Sequence, residues 1–292
     1  MNEPCPLCGA PSIPAFATPD RNRRLSEVEF RYRECTGCGV TFLQNVPADL
    51  ARYYSADYHR APVASELDTW AAYEAYKLEL IRPYLAAGSI VDIGSSYGAF
   101  AYLASRAGYD VTVAEVDPDA CRFIEEVIGV RAIQTAAPEE ALKRLPEPDA
   151  ITLWHSVEHL SQPWAAVQTA AERVRPGGVV VVSTPNPVGV QARALKGRWA
   201  HVDAPRHLFL IPPEALLRRA TSYGLVPLAV TGTDIETRRC NRMGWQRGLE
   251  ELGLRVRGVW GAGAALAIAM RPLESRPNQA SAYTAVLQKP SR

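Results

Sequence analysis

Three sets of residues have types and spacings that could do chemistry. The first is the turn "IVDIGSSYGAF" from Ile90 to Phe100, where Asp92, Gly94, Ser95, Ser96 and Gly98 precede an apolar helical stretch. Such a turn brings backbone amides close to a ligand at a helix start. The second is the five histidines, His59, His155, His159, His201 and His207, the side chains best suited to taking a proton near neutral pH. The third is two cysteine pairs, Cys5 with Cys8 in "CPLCG" and Cys35 with Cys38 in "CTGCG".

Each pair has a two-residue spacer followed by glycine, which lets a turn aim both thiolates at one tetrahedral ion, and soft sulfur favours zinc. Two disulfides or four unrelated buried thiols are the competing readings, the first disfavoured in a reducing compartment. The gap between the pairs leaves room for a hairpin whose second arm is "EVEFRYREC", with Val28, Phe30 and Tyr32 alternating. Four sulfur ligands close the coordination shell, so such an ion holds structure and does no chemistry. Cys121 and Cys240 lie in no activating motif and read as packed or surface thiols.

The elements that must position the turn read as a βαβ unit. "SIVDIG" is a short buried strand, "GAFAYLASRAGY" the helix after it, and "DVTVAEVD" a second strand ending in Glu115, Val116 and Asp117. Upstream, Tyr73, Tyr76, Leu80 and Tyr84 in "SELDTWAAYEAYKLELIRPYL" form a helical stripe. A dinucleotide site wants G-x-G-x-x-G/A, the second glycine letting the backbone approach a pyrophosphate. Here Ser96 stands at that place, which disfavours NAD and favours an adenosine ligand without phosphates, its ribose hydroxyls accepted by Glu115.

At these residues the chain resembles the class I S-adenosylmethionine-dependent methyltransferases, whose D/E-x-G-x-G-x-G turn is matched by Asp92, Gly94 and Gly98 with Ser96 replacing the middle glycine. "PDAITLWHSVEHLSQPWAAVQTAAERVRPGGVVVVSTPN" resembles that superfamily's fourth strand, following helix and fifth strand; "SAYTAVLQKP" resembles its antiparallel last strand. "WAHVDAPRHLFLIPPEALLRRATSYGL" is similar to the region after the fifth strand in a subfamily of small methyltransferases with an N-terminal zinc ribbon.

The resemblance implies an α/β, Rossmann-like seven-stranded sheet of order 3-2-1-4-5-7-6 with the seventh strand antiparallel. It implies a zinc ribbon over 1–48, a linker with lid helices over 49–87, and a catalytic domain over 88–292 with a variable insertion at 236–279. S-adenosylmethionine would lie over Asp92 and Gly94 to Ser96 with its methionine part, on Glu115 with its ribose, and near Val116, Thr135 and Ala136 with its adenine; Trp154 and His155 would stand near the methyl. Many relatives carry an acid where this chain has Ala136 and Ala137.

His155, at the end of the fourth strand, is the first candidate for the base that takes a hydroxyl proton; packing over the cofactor is the other reading. His159 reads as a brace for the helix start. His201 and His207 flank "VDAPRH", where Asp203, Arg206 and His207 could grip a polar group of the acceptor or fix the loop by internal pairing. Tyr53, Tyr54 and Tyr58 could close over the pocket or pack between domains, and Asn186 joins Tyr53, Tyr58, Arg206 and His207 as a substrate contact.

Charge narrows the acceptor. The net charge is +1, and through Arg60 seven basic residues face seven acids, so neither the chain nor its ribbon has the excess that phosphate-backbone binding needs. This argues against an RNA methyltransferase and for a small-molecule or carbohydrate-type acceptor; a non-catalytic cofactor-binding scaffold is the third reading. "MNEPCPLCGA" shows no secretory pattern, which predicts a cytoplasmic protein. The apolar "GVWGAGAALAIAM" is shorter than the about 20 residues a spanning helix needs. The segment from Glu236 to Arg276 mixes that run with eight arginines and four acids. It reads as a core helix with a solvated rim or as a peripheral membrane contact.

Overall fold

The computed structural model describes residues 3–54, 60–253 and 259–291. The strands are β1 (Ser12–Thr18), β2 (Phe30–Cys35), β3 (Thr41–Leu43), β4 (Ser89–Ile93), β5 (Asp110–Glu115), β6 (Arg131–Gln134), β7 (Ala150–Trp154), β8 (Val179–Pro185), β9 (Phe209–Leu210), β10 (Val226–Thr231) and β11 (Ala282–Gln288). The helices are α1 (Leu67–Tyr73), α2 (Ala75–Ile81), α3 (Ala99–Arg106), α4 (Pro118–Phe123), α5 (Pro138–Leu142), α6 (Pro163–Arg173), α7 (Val190–Leu195), α8 (Pro213–Ser222), α9 (Ile235–Glu251) and α10 (Val259–Glu274).

Unbroken runs of β-branched residues, such as "VVVVSTP" in β8, are buried along their whole length, as strands covered by helices on both faces must be. They build a seven-stranded sheet of order β10-β11-β8-β7-β4-β5-β6. The strands β4 to β8 pair in parallel, and β11 runs antiparallel between β8 and β10. Counted from β4 as the first strand, this is the expected 3-2-1-4-5-7-6 order. The order reverses between β4 and β7, which puts the ligand crevice above their carboxyl ends.

A second sheet, β1-β2-β3-β9, joins the N-terminal segment to the stretch between β8 and α8: β9 pairs with β3 through Thr41 opposite Leu210 and Phe42 opposite Phe209. Phe30, Tyr32, Phe42 and Tyr53 belong to the same apolar core as Ile151, Leu153 and Tyr283 of the large sheet. The cysteine-bearing hairpin is thus welded to the α/β body.

Two local expectations fail. Val28 lies before β2 and is 48 % exposed, because the strand pairing begins only at Phe30. The stripe Tyr73, Tyr76, Leu80, Tyr84 is not the buried face: the helix breaks at Glu74 into α1 and α2, and Tyr76, Leu78, Ile81 and Leu85 go inward while Tyr73 and Tyr84 face solvent.

Candidate active site

Above β4 the turn holds three residues in the left-handed region: Gly94 (φ 73°), Ser96 (φ 51°) and Gly98 (φ 75°). Ser96 therefore keeps the backbone shape of the glycine it replaces, at the steric cost a side chain incurs there. Gly94 is required for a second reason: an added Cβ would stand 2.6 Å from Cβ of Ser156. At Gly98 it would stand 2.8 Å from Ile124.

Glu115 ends β5 beneath this turn. Its carboxylate accepts the amides of Ser96 (2.8 Å), Val116 (2.7 Å) and Asp117 (3.1 Å), locking the loop to the neighbouring strand. Burial pushes its carboxyl upward against those three bonds. Thr135 and Ala136 follow β6 beside it, the Thr135 amide donating to the Glu115 carbonyl at 2.8 Å. Val116 leaves an apolar side chain 59 % exposed at the same edge.

Asp92 is buried and accepts Thr152 Oγ1 at 2.6 Å; burial raises its carboxyl, opposed by the charge of Lys77. Trp154 packs edge-on against Phe100 and Tyr76, with Lys77 Nζ 5.2 Å above its ring. Its Nε1 and the hydroxyl of Ser156 are buried without hydrogen-bond partners. Buried polar atoms are seldom left so, and a polar ligand over Gly94 would suit Ser156. A surface hollow lined by Ser89, Tyr109, Arg131 and Pro148 lies at the opposite, amino-terminal ends of these strands, away from this chemistry.

His155 follows β7 with φ 49°, a conformation rare outside glycine, and its side chain is 27 % exposed. Its Nε2 lies 3.2 Å from Ser183 Oγ and its Nδ1 3.5 Å from Glu158 Oε1. Glu158 is fully buried and accepts Thr184 Oγ1 at 2.9 Å. Burial works against charge on both; the His155–Glu158 contact outweighs it, holding the imidazole above its usual range and the carboxyl down at about 2. Sequence reading missed Glu158, although its place three residues after His155 in "HSVEH" was the available signal. Ser183 and the Thr152–Asp92 bond had none.

The remaining candidates part company. His159 Nδ1 lies 3.0 Å from the Tyr54 hydroxyl and 3.1 Å from the Arg206 carbonyl. His207 is buried, its Nδ1 2.9 Å from the His201 carbonyl and its ring edge-on to His159. Glu158, His159 and His207 bring one ligand-type atom each within 4.8 Å of one another. His201, expected among the catalytic residues, is instead buried with Nε2 2.9 Å from the Cys240 carbonyl.

Arg206, expected to grip substrate, is fully buried on Asp20 and Asp203. Asn186, also expected there, donates to the Pro277 and Ala280 carbonyls and accepts Val188 N, so its amide is spent on the β8–α7 turn. Tyr53 is 1 % exposed and packs edge-on against Phe30, so it joins the ribbon to the body. Tyr58 lies outside the described residues.

Burial keeps His201 and His207 neutral, holding each down at about 4. Unfolded imidazole titrates at about 6.5. Their contribution to stability is therefore complete above about pH 6.5 and drains away as pH falls toward 4. His155, shifted upward, acts in the opposite sense: its contribution is already complete below about pH 6.5 and fades only as pH rises through its folded value. The urea midpoint should thus fall steadily between about pH 6.5 and 5. A flat midpoint there would contradict the buried neutral pair.

All six cysteines are free, and four of them gather in the ribbon. Cys5 and Cys38 sulfurs are 3.9 Å apart, Cys8 and Cys35 3.4 Å, and all four lie within 4.8 Å. Tetrahedral zinc with Zn–S near 2.3 Å needs sulfurs about 3.8 Å apart. Amides of Leu7, Gly37 and Cys38 point at the sulfurs of Cys5 and Cys35. Cys121 and Cys240 are buried, as packed thiols.

The chain belongs to the methyltransferase-domain family, whose model matches residues 66–230. Its fold is that of the class I, S-adenosylmethionine-dependent methyltransferases, joined to an N-terminal four-cysteine cluster. Among curated proteins it is 33 % identical over 107 residues to the ubiquinone biosynthesis O-methyltransferase of Cupriavidus pinatubonensis, covering 35 % of this chain and 43 % of that one. It is 30 % identical over 102 residues to the protein of the same name from Salmonella arizonae, covering 33 % and 42 %. The match thus spans about two fifths of those relatives' length.

Among solved structures it resembles a SAM dependent methyltransferase from Archaeoglobus fulgidus, with TM-score 0.53 and 18 % identity over 75 % of this chain and 94 % of that one. It also resembles the PH0226 protein of Pyrococcus horikoshii, with TM-score 0.50 and 12 % identity over 81 % and 98 %. At such identities they bear on the fold alone.

Proposed function

We propose that the protein transfers a methyl group from S-adenosylmethionine to a hydroxyl of a small molecule. The observation that carries the reading is the left-handed turn Gly94-Ser96-Gly98 clamped onto the buried carboxylate of Glu115, with His155 at the end of the adjacent strand. That constellation suits a nucleoside bearing an amino acid, and a serine side chain replaces the glycine through which a dinucleotide turn approaches its diphosphate.

In this reading Gly94, Ser95 and Ser96 pass under the methionine part, with Asp92 behind them. Glu115, with three of its roughly four acceptor sites taken by amides, has one left on Oε2 for a ribose hydroxyl, and Val116, Thr135 and Ala136 border the adenine. Bound there, S-adenosylmethionine supplies an electrophilic methyl on a sulfonium sulfur. Glu158 holds a proton on His155 Nδ1, which leaves Nε2 to take the proton of an acceptor hydroxyl as its oxygen becomes nucleophilic. The Ser183 hydroxyl, which accepts Thr284 Oγ1, stands 3.2 Å from that nitrogen and must yield its place to the acceptor hydroxyl. The names of the curated relatives agree with a hydroxyl acceptor and say nothing finer about this chain.

Glu115→Ala tests the assignment. Hydrogen bonds to a charged acceptor contribute about 1.5–3 kcal/mol, so S-adenosylmethionine affinity in calorimetry should fall roughly 10- to 100-fold. Unchanged affinity would remove Glu115 from the ribose.

The four cysteines hold zinc in the same proposal, with residues 1–48 as the ribbon, 49–87 as linker and lid, and 88–292 as the catalytic domain with its insertion at 236–279. Because β9 and the shared core weld the ribbon to the body, a chelator that strips the ion should lower the Tm of the whole chain. A main transition left unmoved would show that the cluster holds nothing structural.

A further inference from the structure

The hairpin of α9 and α10, inserted between β10 and β11, does not behave as a solvated helix pair. From Trp260 through Met270 α10 has no charged residue, so it is apolar on every side. The fold covers one side only. Gly263 and Ala267 face inward, Gly263 so tightly that an added Cβ would stand 2.7 Å from the Gln246 backbone. On the outer side Ile268 is 63 % exposed and Leu273 44 %, and Trp260 at the start of the helix is 51 % exposed. A helix apolar all round is normally buried in a core or in lipid.

The exposed, unpaired charges of the hairpin and its exit have one sign among the described residues. All four acids of the hairpin are neutralised or hidden: Glu236 pairs with Arg239, Glu250 with Arg247 and Glu251 with Arg21, while Glu274 is 2 % exposed and accepts Gln191 and Trp245. The exposed Arg238, Arg242, Arg271 and Arg276 have no ion-pair partner among the described residues. The Arg247 guanidinium lies 5.8 Å from the centre of the Trp260 ring.

The partner must therefore be apolar in depth and anionic at its surface. A second copy meeting this face across a twofold axis would set arginine against arginine. A bilayer with anionic head groups meets both requirements, and an indole at the rim of the patch suits its interface. No helix among the described residues is long and apolar enough to cross a membrane.

We propose that the α9–α10 hairpin docks the protein peripherally on an anionic membrane surface, α10 lying in the plane of the interface with Ile268 and Leu273 inward and the arginines among the head groups. This does not depend on the methyl-transfer reading.

Co-sedimentation of the full chain with vesicles tests it. Phosphatidylcholine vesicles containing phosphatidylglycerol should bind the protein, those of phosphatidylcholine alone should not, and added salt should weaken binding. Replacing Arg271 and Arg276 by Glu should cost roughly fivefold in partitioning per arginine or more. Ile268→Asp should reduce partitioning further while leaving Tm and S-adenosylmethionine affinity unchanged, since the side chain is exposed. Three results would overturn the proposal: no preference for anionic vesicles, variants that bind as the parent does, or a dimer in sedimentation velocity that Ile268→Asp dissociates without any vesicle binding.

Discussion

Arg206→Ala should destabilise the folded chain by about 3–5 kcal/mol, the cost of leaving buried carboxylates without their cation. Arg206 and Asp20 side chains are 0 % exposed, and Asp203 is 11 % exposed. One guanidinium serves both: Nη2 donates to Asp20 Oδ1 at 2.7 Å and to Asp203 Oδ1 at 2.8 Å, and Nε donates to Asp203 Oδ2 at 2.9 Å. Nη1 donates to the Tyr53 carbonyl at 3.0 Å. The group therefore ties together β1's outgoing turn, the segment before α1 and the loop before β9.

Burial would raise the Asp203 carboxyl, yet Arg206 holds it well below the usual carboxylate range, so the charge pair exists in the folded chain at neutral pH. Lysine should rescue little, because an ammonium cannot present the planar fork that reaches both carboxylates. Removing both acids with the arginine, as Asp20→Asn and Asp203→Asn in Arg206→Met, should recover much of the loss. Urea denaturation of these variants separates the cases; a loss under about 1 kcal/mol for Arg206→Ala, the scale of an exposed pair, would mean that the triad is solvated.

His155→Ala carries the second large effect. Turnover should fall about 10²- to 10⁴-fold, the range typical of a positioned general base, while S-adenosylmethionine affinity stays close to that of the parent. Release of S-adenosylhomocysteine with a hydroxyl acceptor found by screening gives the turnover, and calorimetry gives the affinity. The pH dependence has a definite sign. His155 acts when unprotonated, and against burial Glu158 holds its imidazole above the ordinary range, so kcat should rise with pH through a value above about 6.5. Glu158→Gln should move that limb to lower pH by removing the charge. Full activity of His155→Ala would leave His155 as a packing residue over the cofactor.

The parts of the fold set by local pattern could be read without coordinates. Buried β-branched runs, a glycine turn after one of them and an acid at the end of the next constrain a parallel βαβ unit, while the rest of the sheet was implied by the resemblance of the later segments to the class I methyltransferases. The cysteine spacing likewise predicted the cluster. Long-range pairing was beyond reach. Nothing near Asp20 announces Arg206, 186 positions away: the arginine read as a substrate grip or as an internal pair within its own loop, and its bond to Asp20 had no signal. Asn186 misled for the same reason: a polar residue near a strand end looks available until the chain that covers it is in place, and of the two readings of Tyr53, lid and packing, the structure shows packing. The helical stripe failed because periodicity marks a possible face, and the break at Glu74 chose another.

Titrating the purified chain separately with S-adenosylmethionine and with NAD in a calorimeter tests the central assignment most directly. The methyl donor should bind at one site per chain, with NAD producing no heat and no competition. Saturable NAD binding that excludes the methyl donor would mean that the turn over Glu115 accommodates a diphosphate after all.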